Sequence, residues 1–154
     1  MYLTREFPDE IDARVPRFVH LPRYVARAHR RVPDPPAFLF YEHIEIETRA
    51  QVECLIQYLY TCITLATQTA FDGVPVRSEN GAYMTCQDII DTLIYWTTVS
   101  IGFFDDNFTH VNDELFLVLQ LLKRARDDER FDHGGASLRF SILNQLRESL
   151  QSAM

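Results

Sequence analysis

The stretch Phe103–Phe116, FFDDNFTHVNDELF, gathers Asp105, Asp106, Asn107, His110, Asn112, Asp113 and Glu114 between two apolar runs. Residues of these types could bind calcium, catalyse by acid–base chemistry, or simply form the polar turn of a helical hairpin. A calcium loop of the EF-hand kind needs oxygen ligands at alternate positions, glycine at the sixth and a bidentate acid at the twelfth. Counted from Asp105, the sixth position is His110 and the twelfth is Phe116; counted from Asp106, the third position is Phe108. The calcium reading fails at its most demanding positions. Paired catalytic carboxylates need one water-poor pocket that separates their pKa values. Asp105 and Asp106 are adjacent in a turn, while Asp113 and Glu114 meet the positive start of a helix, so solvation and helix-end charge account for all four. The turn reading explains every residue, with Asn112 as N-cap of the following helix.

The other candidates for chemistry are equally sparse. His20, His29, His43, His110 and His133 form no i, i+4 pair on a helical segment and no HExxH. The five glycines build no phosphate loop, and no nucleophile elbow or paired Cys–His signature occurs. Cys54, Cys62 and Cys86 form no CxxC. An odd count without a signal-like leader indicates free thiols in a reducing compartment, packed as small buried apolar residues. The chain is therefore expected to be no enzyme, with no catalytic residue, no metal and no cofactor.

Binding is better represented. Between Ala13 and Pro33 stand Arg14, Arg17, Arg23, Arg27, Arg30 and Arg31, with Phe18 and Tyr24 interleaved and no acid. Arginine with aromatics suits phosphates and bases, and equally a protein surface. Residues 35–154 carry 8 basic and 17 acidic side chains, net −9, so the arm also complements its own body or a neighbouring subunit. A second set of candidates is aromatic: Tyr58 and Tyr60 on the first main helix, Tyr95 and Trp96 on the second, rings beyond the core stripes of the kind that favour interfaces.

The elements that must position these residues follow from proline and periodicity. Prolines 16, 22, 33, 35 and 36 forbid one long helix near the N-terminus, so residues 1–36 read as an extended Pro/Arg-rich arm and 37–154 as the folded domain. The segment FLFYEHIEIE alternates weakly and reads as an extended lead-in without a strand partner. Val52, Leu55, Ile56, Leu59, Ile63, Ala66 and Ala70 then keep helical spacing as far as Gly73. The stretch from Asp72 to Met84 reads as a loop. Thr85 and Asp88 resemble a capping box, and Cys86, Ile89, Ile90, Leu93, Ile101 and Phe104 share one face beyond it. The fold class is all-α: a single bundle of four main helices near 49–71, 86–104, 112–129 and 137–151, with the arm before it. At 154 residues and 47% hydrophobic content, the chain is long and apolar enough for one such core. No apolar run approaches the ~20 residues of a membrane span.

Two segments resemble Bcl-2-like helical regulators: the tryptophan-bearing YWTTVSIGFF, similar to that family's central helix, and HGGASLRF before a short amphipathic helix. The family's Asn-Trp-Gly-Arg signature is absent. The resemblance implies a groove that takes a partner helix. Composition and pattern alone favour a non-catalytic interaction or assembly protein, in the cytoplasm or nucleus, that self-associates or binds a protein partner. Small viral accessory and regulatory proteins are of this type. A nucleic-acid binder using the arginine arm is the alternative.

Overall fold

A computed structural model describes residues 31–41, 44–104, 108–128 and 138–153. The chain divides into residues 1–31 and a unit from Val32 to Met154, and the helical fold belongs to the second. It is all-α in its main elements. After a two-residue strand, Arg31–Val32 (β1), comes a 3-10 turn, Ala37–Phe40. Four helices follow: Arg49–Asp72 (α1), Cys86–Ser100 (α2), Thr109–Asp127 (α3) and Leu138–Ala153 (α4).

The helix ends show why these segments fold locally. At α1 the Thr48 hydroxyl accepts from the Gln51 N–H at 3.1 Å, and Gln51 Oε1 accepts from the Thr48 N–H at 3.0 Å. Thr85 and Asp88 form the same reciprocal box at α2. Each box satisfies donors that a helix start otherwise leaves open. Gly73, at φ 70°, ends α1 in the left-handed conformation, and its N–H donates to Thr69 O at 2.8 Å.

Helix α1 packs against α2 and α4, and α3 packs against the same two, so each helix has two neighbours and the four close around one core. Leu55, Leu59 and Ile63 of α1 meet Ile89, Ile90 and Leu93 of α2, Leu115 and Leu122 of α3 and Leu143 of α4 in one cluster. All are essentially removed from solvent. Each such side chain contributes about 1.5–3 kcal/mol by burial, which makes this cluster the main source of stability.

Three local expectations are corrected. The segment 44–47 does have a partner: Ile46 bridges Phe104 in parallel, and its N–H donates to Phe103 O at 2.8 Å. Helix α2 accordingly stops at Ser100, and Gly102, at φ +98°, turns the chain out to meet Ile46. Second, the stretch after α1 is not a plain loop. It contains a hairpin, Val76–Ser78 (β2) with Tyr83–Met84 (β3), closed around Asn80-Gly81 with Gly81 at φ +92°. The sheet order is β1-β2-β3. Third, α3 begins at Thr109 with Phe108 as N-cap, so Asn112 lies inside the helix. Its Oδ1 instead accepts the Gly102 N–H at 3.1 Å and fastens the turn that leaves α2.

Candidate interaction surface

The best-organised cluster of exposed side chains is aromatic, and two elements build it. Leu39, buried at the heart of the 3-10 turn, anchors that turn to the core and leaves Phe40 outward. Trp96 of α2 is half-buried against the core. Phe40 meets Trp96 edge-on, centroids 5.0 Å apart at 65°, and Tyr95 meets it from another side at 4.9 Å and 86°. Both are edge-to-face geometries, which aromatic quadrupoles prefer to a flat sandwich. Phe40, the adjacent Tyr41 and Tyr95 nevertheless stay 61%, 63% and 60% exposed.

Of the aromatic candidates read from the sequence, the structure therefore brings Tyr95 and Trp96 together and separates them from the other two. Tyr58 is only 5% exposed and belongs to the core. Burial raises its phenol pKa strongly, and the Cys62 thiol beside its hydroxyl raises it further. Tyr60 is half-buried against the same core. Phe40 and Tyr41 do not stand out in an apparent extended lead-in. The signal for them is the aromatic density of FLFYE itself, just after Pro35-Pro36. Of the arm candidates, Arg14, Arg17, Phe18, Arg23, Tyr24, Arg27 and Arg30 lie outside the described residues, and Arg31 is exposed in β1.

The chain matches no protein-family model, no curated protein and no solved structure.

Of the two segments whose sequences were compared with Bcl-2-like regulators, residues 95–104 form the end of α2 and the turn to Ile46, whereas residues 133–137 of the other lie outside the described residues. So do Asp105, Asp106 and Asn107 of the acidic stretch; His110, Asp113 and Glu114 are exposed on α3. Among the described residues no three His, Cys, Asp or Glu side chains gather as a metal site, and no helix is long and apolar enough to cross a membrane.

A polar cleft of 420 Å³ is lined by Gln87, Arg126, Asp127 and Arg139. Its chemistry is mostly internal. Arg139 Nε donates to Ala125 O at 2.8 Å, and Nη2 donates to Arg126 O at 2.8 Å and Gln87 Oε1 at 2.7 Å. The guanidinium thus closes the C-terminal carbonyls of α3, where the helix dipole favours a cation. The Arg139 N–H in turn donates to Asp128 Oδ2 at 2.8 Å at the start of α4. Two of the three thiols are equally restrained. Burial pushes Cys62 up to about 12, and burial also raises Cys86, whose Sγ donates to Ala66 O at 3.3 Å. Cys54 is exposed, contrary to the expectation of three buried thiols, because it stands on the outer side of α1, away from the Leu55–Leu59 face.

Proposed function

We propose that this chain is a non-catalytic interaction and assembly protein that binds a protein partner through the surface of Phe40, Tyr41, Tyr95 and Trp96. The observation that carries the reading is the edge-to-face placement of Phe40 and Tyr95 on a core-anchored Trp96 while both outer rings remain mostly in water. Aromatic side chains offer 150–250 Å² of apolar area each on burial, so a partner gains a large contact here. Rings already held against Trp96 lose little rotamer freedom on docking, which lowers the cost of association. The non-catalytic part of the reading is supported by chemistry already engaged elsewhere. Two thiols are held protonated by burial, and the arginine of the polar cleft serves backbone carbonyls. The arginine arm enters as a second, cationic contact on the strength of its sequence.

The test is site-specific crosslinking in cells, with a photoreactive phenylalanine analogue in place of Tyr95 and, as control, of the exposed Gln145 on α4. The expected result is a discrete protein adduct at position 95 that survives high salt and disappears with Phe40→Ala. Adducts to nucleic acid alone, or the same pattern at both positions, would reverse the reading.

A further inference from the structure

Helix α3 carries a second feature, on the side away from the core. Val111, Leu115, Val118, Leu119, Leu122 and Ala125 are its buried face. On the opposite side Asp113, Leu117, Gln120 and Arg124 follow at i, i+4, i+7 and i+11 and so lie along one line of the helix. Leu117 is 62% exposed, and Phe116 beside it 47%. The line is acidic at its start (Asp113, Glu114), apolar and amide in the middle, and basic at its end (Lys123, Arg124).

We infer that a second copy of this chain docks on this face, its α3 running antiparallel to the first about a twofold axis between Leu117 and Gln120. The inference rests on the reading of the chain as an assembly protein and uses a different surface from the aromatic one. A twofold interface must be complementary to itself. Reversing the helix direction about that point lays Asp113 of one copy beside Arg124 of the other, with Glu114 and Lys123 on opposite flanks of the seam. Leu117 and Gln120 of both copies then cross at the centre, with Phe116 at the margin. Helix-end electrostatics alone would also put acids first and bases last. They do not account for two large apolar side chains exposed midway between them.

The charges on this line are also available for an intermolecular contact. Arg49 pairs with Glu53, Arg126 with Asp127 and Arg147 with Glu148 along their own helices. The side chains of Asp113, Glu114, Lys123 and Arg124 make no ion pair or hydrogen bond among the described residues. Across the twofold seam Asp113 and Arg124 each meet the opposite charge of the other copy. One helix–helix seam falls at the small end of stable interfaces, so the dimer should be concentration-dependent rather than permanent.

The experiment is sedimentation equilibrium on the full chain and two charge-reversed variants, Asp113→Arg/Glu114→Lys and Lys123→Glu/Arg124→Asp, each first shown to be helical by circular dichroism. The wild type should dimerise with concentration, each variant alone should stay monomeric, and an equimolar mixture should form a heterodimer, because position 113 of each copy then faces an opposite charge at position 124 of the other. A monomeric wild type, a variant that self-associates like the wild type, or a mixture that stays monomeric overturns the inference. Should either double variant fail to fold, Leu117→Glu serves in its place: loss of the dimer supports the seam, and an unchanged dimer refutes it. The crosslink at Tyr95 is unaffected by any of these results, so failure here is distinguishable from failure of the aromatic surface.

Discussion

Arg139 shows how much of the fold can rest on one side chain. Its guanidinium serves two carbonyls at the end of α3 and the amide of Gln87 on α2. Arg139→Met should lower stability by about 1–3 kcal/mol, because it leaves half-buried acceptors without a donor, and urea denaturation would read the loss. Arg139→Lys should recover little of it, since one ammonium cannot reproduce the planar fork. The thiols make a second prediction. Cys54 should react with a disulfide reagent in the native state, and Cys62 only after unfolding. In the unfolded chain Cys62 ionises near 9.0, whereas in the folded chain it holds its proton to about 12. Its contribution to stability is therefore whole below pH 9 and is lost as pH rises towards 12, by at most about 1.4 kcal/mol per pH unit. The buried Tyr58, also raised, acts in the same direction. Cys62→Ala should flatten the alkaline limb of a stability–pH curve while lowering its plateau; an unchanged slope would contradict this. The helix face separates the two thiols in the sequence: Cys62 falls seven residues after Leu55 and three after Leu59, on the apolar stripe, and Cys54 does not. The role of Arg139 is not legible there. Arg139 gains its partners from two other helices.

Among the secondary-structure elements, caps and periodicity carry most of the information. Helix α1 is readable because its apolar residues recur at helical spacing and Gly73 ends the run; α2 is readable because Thr85 and Asp88 mark its start. Thr48→Ala and Thr85→Ala should each cost about 0.5–2 kcal/mol, with Thr48→Ser close to neutral, as measured by thermal or chemical unfolding. Where partners are distant in sequence the local pattern fails. Ile46 pairs with Phe104, so neither the strand-like character of 44–47 nor the early end of α2 can be derived from neighbouring residues. Asn112 has a good N-cap residue type at a plausible place, yet it caps the Gly102 turn instead, because the preceding residues have already begun α3. The β2–β3 hairpin is different. Its Asn80-Gly81 signal is present in the sequence, with Val76 and Met84 facing each other across it, but the strands are so short that alternation barely registers.

For the molecule as a whole, the four helices follow from the number of amphipathic segments, but the surface does not. Phe40 and Trp96 come from different elements, and their contact exists only once the 3-10 turn is seated beside α2. Tyr58 and Tyr95 are both off the most obvious apolar stripe, yet tertiary packing buries one and exposes the other. The function proposed for this molecule is protein–protein association, driven largely by apolar contact, rather than catalysis or the gripping of phosphates. Apolar association persists as salt rises, whereas phosphate-driven binding weakens steeply. Static light scattering of the full chain across concentration and ionic strength, beside a binding titration with labelled RNA and DNA, separates the two. The expected mass climbs above the 18.0 kDa monomer with concentration and does so at high salt as well. A mass of 18.0 kDa at every concentration, together with tight nucleic-acid binding abolished by salt, would contradict the proposal.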